Sequence, residues 1–457
     1  MLRPMPRSGR FDSVLASFAL PVEAFRRRRE QWLSPAQIAV VRERRLAHVL
    51  EAARSAPYYR ELLARYDAER AAPTAILAGL PPLTRQIIAA HGLDAFLTRD
   101  RRTLFSVTTS GSTGEPAVFF RSPREEAEFS ARWWRVYSAY GCGARDTQVN
   151  FTRSNVRPRK GMVKLLRRLG VVPQVVNIST ADPIENGARA VMELRPQVIG
   201  GYAVAIESLA EYAMERGIEL ARPRLVVCAA MDVTDHCRDV ARRAFGAPVA
   251  NVYVTNEMGV IAWSCPVRSE VLHVNDDVFV LEILDSDGSP VPDGTSGEIV
   301  LTSLTLTSMP LLRYRTGDIA ARLPGICNCG RGLALMTPVQ GRSAHAIRSA
   351  DGRLVTAPLV AGAFGAAGAY AWVRRFQVRE EAQRVLRVLV EPRRAPSETE
   401  SAALVRQLEA LLGAGFTIRI EHVTEIPLAP SGKFQYVVPL DAGRAARPAV
   451  RDAAPAS

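Results

Sequence analysis

The sequence predicts a two-domain α/β protein, and three features carry that expectation. Helical segments alternate with short β-branched runs in the middle of the chain, as at Leu225–Ala229 and Val249–Val254, the pattern of helices layered on a sheet. After about residue 341 the pattern changes to a small α+β unit of about a hundred residues, enough to fold by itself. At 457 residues the chain is also too long for one compact core.

Element by element, Ser34-Pro35-Ala36-Gln37 opens a helix, with Ser34 as N-cap, Pro35 in the first position and Gln37 in the third. Ile38, Val41, Leu46, Val49, Leu50 and Ala53 then follow helical spacing until Pro57. Val278–Leu284 and Glu298–Thr302 flank Asp285-Ser286-Asp287-Gly288 and read as antiparallel strands joined by a turn-rich loop. In the C-terminal unit, strands at Phe376–Val378 and Val385–Val390 precede a helix carrying Leu404, Val405, Leu408, Leu411 and Leu412. Gly413 and Gly415 end that helix, and Phe416–Val423 is a further strand. The last dozen residues, rich in Ala, Arg and Pro, are expected to be disordered.

Composition narrows the function classes. Hydrophobic residues make up 47% with a mean hydropathy near zero, and no apolar run reaches membrane-spanning length, so no membrane insertion is expected. Pro21 and Glu23 break the apolar patch near the start, which argues against a signal peptide. Six cysteines do not make a disulfide framework in a chain this long, and a reducing cytoplasm fits them. The net charge of +13 is dispersed and densest over Arg153, Arg157, Arg159, Lys160, Lys164, Arg167 and Arg168. That patch is either a solvated helix face or a docking surface for a phosphorylated cosubstrate or acidic carrier protein. No aromatic-interleaved basic motif points to nucleic acid.

Four short patches carry chemistry. Thr108-Thr109-Ser110-Gly111-Ser112-Thr113-Gly114-Glu115-Pro116 combines hydroxyls, free backbone N–H groups and glycines, which is what a loop needs to wrap a polyphosphate. No lysine follows the second glycine, so it is not a Walker loop, and taken alone it equally reads as a surface turn. Tyr253-Val254-Thr255-Asn256-Glu257 is a strand end followed by an acid. Arg313-Tyr314-Arg315-Thr316-Gly317-Asp318 and Ser431-Gly432-Lys433 complete the set. Singly, Glu257 could be a helix-terminal acid, Asp318 a turn residue and Lys433 a solvated lysine.

In this order and spacing, the chain resembles the adenylate-forming superfamily of acyl-CoA synthetases, adenylation domains and luciferases, and more closely its phenylacetate–CoA ligase branch. The resemblance extends over nearly the whole chain, through Pro57-Tyr58-Tyr59-Arg60, Leu80-Pro81-Pro82-Leu83-Thr84-Arg85, Leu272-His273-Val274-Asn275-Asp276-Asp277 and Gly341-Arg342. It implies a large N-terminal α/β AMP-binding domain over 1–341 with a helical first 100 residues, a small mobile α+β lid over 342–445, and a disordered tail over 446–457. It also implies ATP-dependent conversion of a carboxylic acid, aryl by preference, to an acyl-adenylate, followed by transfer to a thiol, CoA first. Thr108, Thr109, Ser110, Gly111, Ser112, Thr113 and Gly114 would hold the β- and γ-phosphates. Glu257 would hold Mg²⁺, while Tyr253 and Asn256 line the nucleotide site. Asp318 would accept the ribose hydroxyls, with Arg342 near the ribose and α-phosphate. Lys433 would bridge carboxylate and α-phosphate oxygens in the transition state.

Cys327-Asn328-Cys329 is a short chelating pair, with Cys265 and His273 upstream; three thiolates and one imidazole suit a closed structural Zn²⁺ site, whereas the alternative is small buried cysteines. Relatives in this branch carry a similar set. Cys142, Cys228 and Cys237 have no such context. The chain also departs from the pattern. Val254 replaces a Gly and Asn256 a phosphate-touching Thr, and Ala229-Ala230-Met231 stands for the usual Ser-Gly-Glu. Ala344 and His345 stand where relatives carry two aspartates, the first being the lid hinge, which makes the adenylation half-reaction the safer expectation. The acyl pocket is expected near Trp133, Trp134, Tyr202 and Ala229–Met231. Open alternatives are transfer to a carrier protein or an amine, as in secondary-metabolite or cell-surface polymer synthesis, and a non-catalytic scaffold; a homodimer is also compatible.

Overall fold

The computed structural model describes residues 9–66, 71–108, 117–152, 173–427 and 434–440. The loop residues 109–116, the basic patch from Arg153 to Arg168, Lys433 and the C-terminal tail therefore lie outside the described residues. Among the described residues no helix is long and apolar enough to cross a membrane.

The helical first hundred residues begin with Gly9–Glu30, which runs through Pro21. The next helix, Pro35–Ala53, starts where Ser34 predicts: Gln37 N–H donates to Ser34 Oγ at 3.3 Å and Ser34 N–H to Gln37 Oε1 at 2.9 Å, a reciprocal capping box. Ile38, Leu46, Val49, Leu50 and Ala53 are its buried face.

A buried charge cluster plugs the first helix into the body. Arg27, 1% exposed, donates to Asp277 Oδ2 at 2.7 Å, and Arg135 donates to both Asp277 oxygens at 2.8 Å and to Asn275 Oδ1 at 2.6 Å. Burial alone would raise the Asp277 carboxyl, but Arg135 and Arg27 hold it well below the usual carboxylate range. The Asn275-Asp276-Asp277 motif is thus a structural anchor in this protein. Removing one member would strand an uncompensated buried charge, which typically costs about 3–5 kcal/mol.

A hairpin, β1 (Phe105–Thr108) with β2 (Val118–Arg121), pairs Thr108 with Val118. Eleven strands then form one sheet: β3 (Thr147–Thr152), β4 (Gln174–Ser179), β5 (Val198–Tyr202), β6 (Leu225–Ala229), β7 (Val249–Thr255), β8 (Gly259–Ser264), β9 (Leu272–Val274), β10 (Phe279–Leu284), β11 (Ser296–Ser303), β12 (Tyr314–Leu323) and β13 (Leu335–Met336). Their order is β10-β11-β12-β13-β9-β8-β7-β6-β5-β3-β4. From β4 to β7 the neighbours are parallel, joined by helices Ile184–Leu194, Ala203–Arg216 and Asp235–Phe245. Every residue of β6 is buried, as a strand covered on both faces requires. From β7 to β10 all pairs are antiparallel, including the expected β10–β11 hairpin.

Chain order reverses between β3 and β5, so the crevice beyond their carboxyl ends is a topological switch point. Gly201 at the end of β5 has φ +150, and a Cβ there would lie 2.3 Å from the Phe151 carbonyl oxygen. Only glycine lets the two strands approach so closely.

The C-terminal unit has its own sheet. Following the small pair β14 (Ile347–Arg348) and β15 (Leu354–Val355), strands β16 (Val373–Ala382), β17 (Val385–Pro392), β18 (Thr417–His422) and β19 (Val437–Val438) order as β18-β17-β16-β19. Helices Ala357–Ala366 and Glu398–Leu412 complete it, around Phe364, Trp372, Phe376, Val388, Leu404, Leu408 and Leu412. Phe364 stacks on Phe376 at 3.7 Å. Leu411 and Val405, expected on the core face, are only partly buried. Val204 and Met231 of the large domain pack against this second core.

Candidate active site

Among the described residues, Tyr253, Glu257, Asp318 and Arg342 of the expected site centre on two carboxylates. Glu257 follows the end of β7 and is 5% exposed. Arg85 Nη2 donates to its Oε1 at 2.9 Å, and the Tyr314 hydroxyl to the same oxygen at 3.3 Å. Arg85 is the first residue of helix Arg85–His91, whose N-cap Thr84 accepts from Ile87 N–H at 3.2 Å. That helix is placed by backbone bonds from Leu83 N–H to Arg313 O and from Arg315 N–H to Leu83 O, both 2.9 Å. The Leu80–Arg85 and Arg313–Asp318 motifs are therefore one structural unit. The Arg85–Glu257 pair is what inspection of single motifs misses; its signal is the arginine that ends Leu80–Arg85.

Asp318, 5% exposed, is the second carboxylate. The Tyr253 hydroxyl donates to Oδ2 at 2.7 Å and Arg342 Nε to Oδ1 at 2.9 Å. Burial, then the adjacent Asp318 charge, pushes the Tyr253 phenol well above its ordinary range, so it stays a donor. Arg342 is raised first by Asp318, which keeps the pair ionised. Tyr253 and Glu257 sit on one strand end, so β7 orients both carboxylate centres. Asn256 is exposed, and its carbonyl accepts from Arg121 Nη1 at 2.9 Å.

Thr108, the last residue of β1, pairs with Val118, the first of β2, so the glycine–hydroxyl segment is the stretch of sequence between these two paired strands. Phe119 of that hairpin packs edge-on to Tyr314, centroids 6.1 Å apart, and Arg121 reaches Asn256. The β2 stem thus stands beside Glu257, and 109–116 lie outside the described residues. Near Lys433, also outside them, Gln435 lies 3.4 Å from His345 Nε2, and its carbonyl accepts from Gln377 Nε2 at 2.6 Å. His345 is three residues past Arg342, so the chain next to Lys433 is tied to the segment that grips Asp318.

Tyr202 and Ala229–Met231 stand at the carboxyl ends of β5 and β6, beside the switch point. Trp133 joins Ala229 in one apolar cluster and stacks on Tyr137 at 5.8 Å, while Trp134 is half-buried. Ala230 holds φ +61, a left-handed conformation that favours glycine.

The four-residue Cys/His set comes together as expected. Ligand atoms of Cys265, His273, Cys327 and Cys329 all lie within 4.8 Å of one another. Cys265 Sγ is 3.6 Å from Cys327 Sγ, and Cys329 Sγ is 3.3 Å from His273 Nε2. A tetrahedral zinc with Zn–S of about 2.3 Å and Zn–N of about 2.0 Å needs S···S near ~3.8 Å and S···N near ~3.5 Å, so the donor set fits. Burial pushes the His273 imidazole down to about 4, leaving it neutral near pH 7. The cluster lies past the far end of β8 from Glu257, roughly 20 Å along the strand at about 3.4 Å per residue. Cys142, Cys228 and Cys237 are buried outside it.

Comparison with known proteins agrees with this architecture. The family model for the CapK C-terminal domain matches residues 347–439. A phenylacetate-coenzyme A ligase of Thermus thermophilus is 27% identical over 299 residues, covering 57% of this chain and 66% of that protein. Protein CapK of Staphylococcus aureus is 23% identical over 367 residues, covering 79% of each. The chain thus spans just under two thirds of the Thermus ligase and more of CapK. Among solved structures, 2-hydroxyisobutyryl-CoA ligase in its postadenylation state superposes with a TM-score of 0.75 at 17% identity, covering 90% of this chain and 91% of that one. The same ligase in its thioesterification state gives 0.61. The two-domain fold is that of adenylate-forming CoA ligases, and in sequence the chain is similar to phenylacetate-coenzyme A ligases and to protein CapK.

Proposed function

We propose that the protein activates a small carboxylic acid with ATP as an acyl-adenylate and passes the acyl group to a thiol, CoA first. The observation that carries this reading is the pair of buried carboxylates near the end of β7, Glu257 just past it and Asp318 of β12 held by Tyr253. Asp318 is fixed by Tyr253 and Arg342, and Glu257 is fixed by Arg85 and Tyr314. Asp318, oriented at both oxygens, keeps lone pairs for the two ribose hydroxyls. Arg342, paired to it, faces the same nucleotide. Glu257 is the Mg²⁺ ligand in this reading, exchanging its Arg85 partner for the ion, which would neutralise charge on the departing pyrophosphate. Thr108 to Gly114 hold the phosphates with hydroxyls and backbone N–H groups, and Asn256 supplies an amide donor where a hydroxyl is usual. Lys433 bridges the reacting oxygens from the lid, proposed over residues 342–445, with 1–341 as the AMP-binding domain.

The apolar wall at Ala229–Met231 and Trp133 favours an apolar, aryl-type acid. Cys265, His273, Cys327 and Cys329 hold a structural Zn²⁺ that staples the loop after β8 to the turn after β12. A carrier-protein or amine acceptor is the second reading, favoured by Ala344 at the hinge position. Pyrophosphate release across a panel of aryl and aliphatic acids, with and without CoA, tests both by mass spectrometry of the products. A CoA thioester supports the first reading. Pyrophosphate without a thioester leaves the second, and no release with any acid overturns adenylation itself.

A further inference from the structure

The face between the two domains contains a carboxylate that the chemistry above does not use. Helix Ala203–Arg216 presents Glu207, Ser208, Glu211 and Glu215 toward the C-terminal domain. Glu207 is 9% exposed, and its Oε2 has no hydrogen-bond partner. Around it the crevice is lined by Glu211 of the same helix and by Tyr370, Arg375 and Tyr436 of the C-terminal domain. His236 and Cys237 face it from the neighbouring helix, Cys237 through a hydrogen bond that favours the ionised carboxylate, while Asp235 of that helix acts on Tyr370. Arg374 lies 3.8 Å from Glu215, and Arg393 pairs with both Glu211 and Glu215. Arg375, whose Nη2 donates to the neutral Ser208 Oγ at 3.0 Å, pulls Glu207 downward together with His236 but is outweighed by burial and Glu211. His236 Nε2 is 2.9 Å from Glu211 Oε1, and its ring lies flat on Tyr370, centroids 3.8 Å apart and 2° from parallel. Glu211 is thus occupied by Arg393 and His236, which makes this cluster a domain contact more than a metal centre.

We propose that this contact is a proton-responsive latch: the C-terminal domain docks over a neutral Glu207, clamped by Arg393 on Glu211 and Glu215, and is released when Glu207 ionises. A buried carboxylate with one oxygen unpartnered tolerates its neutral form and penalises its charged one. Burial, then the like charge of Glu211, raises Glu207 to about 7 in the docked arrangement. The docked state therefore binds the extra proton, so docking is favoured at low pH and weakens as pH rises through about 7. If the undocked carboxyl titrates near its ordinary value of 4.5, the docking constant falls up to about tenfold between pH 6 and pH 8. Met231, beside the proposed acyl pocket, packs on the C-terminal core, so docking also bears on the pocket wall. The functional consequence rests on the acyl-adenylate reading, because there the same domain must leave this position between the two half-reactions.

The test measures domain docking on the full chain without substrates, so that it stands apart from any activity. Reporter amino acids at exposed Arg222 and Arg406 give an interdomain distance distribution at pH 6, 7 and 8. The docked population should fall with pH in the parent protein and become independent of pH in Glu207→Gln. Arg393→Met should lower it at every pH, and Arg393→Lys should restore part of it. A pH-independent distribution in the parent, or an unaltered pH response in Glu207→Gln with normal melting behaviour, overturns the latch. Absence of pyrophosphate release with intact pH-dependent docking would overturn the acyl-adenylate reading instead.

Discussion

Replacing Ala230 by glycine should stabilise the protein, against the usual direction of such a change. Ala230 has φ +61 at the end of β6, where its Cβ crowds the following carbonyl. A non-glycine residue in that region pays about 1–2 kcal/mol. Glycine removes that strain but returns about 0.4–1 kcal/mol of chain entropy to the unfolded state. Ala230 is only half-buried, so the lost methyl contributes little. The expected net gain is about 0.5–1 kcal/mol, the difference between those two terms. Urea unfolding followed by fluorescence should show a higher midpoint with an unchanged slope for the transition of the large domain. Ala230→Val should move the midpoint the other way, by more, since a β-branched residue is a true outlier there. A lower midpoint for Ala230→Gly, or no response to Ala230→Val, would refute the argument from backbone strain.

Asp318→Asn removes the charge that Arg342 faces; AMP or ATP affinity by calorimetry should drop at least about tenfold, since hydrogen bonds to charged groups are worth about 1.5–3 kcal/mol. Unchanged affinity would remove Asp318 from the nucleotide site. Arg85→Met leaves Glu257, 5% exposed, without its cation, and unfolding should become easier by about 1–3 kcal/mol, less than a fully buried pair because Arg85 is itself a quarter exposed. If the midpoint holds, the pair is incidental. Elemental analysis should find one zinc per chain, and Cys327→Ser should lose it and lower the melting temperature; a metal-free parent with the same melting curve as the variant would leave the four residues merely packed together.

Local signals in the sequence reached much of this structure. The Ser34 cap, the β6 and β7 runs, the β10–β11 hairpin and the helix ending at Gly413 all depend on neighbours a few residues apart. The Cys/His set is legible too, because its chemistry limits what those residue types do together. Partnerships that span the chain are different. Arg85 and Glu257 are 172 residues apart, and nothing local to either says that they meet. Glu207 and Glu211, one turn apart on Ala203–Arg216, look like a solvated stripe opposite the buried Ile206, Leu209, Ala210 and Ala213. Only docking of the second domain makes that stripe an interface. Pro21 and the arginine-rich end of Gly9–Glu30 likewise hide a helix whose partner, Asp277, is far downstream.

That last separation has a consequence for how the protein is made. Arg27 reaches Asp277 across 250 residues, so the first helix leaves the ribosome long before its socket exists. At about 5–20 residues per second, it waits on the order of 10–50 s. During that interval Arg27 has only Glu23 and Glu30 of its own helix and later Glu128, and it lacks the carboxylate that holds it most tightly in the finished fold. Slow translation ahead of Asp277 should therefore lower the yield of folded protein more than a pause of equal length placed after it.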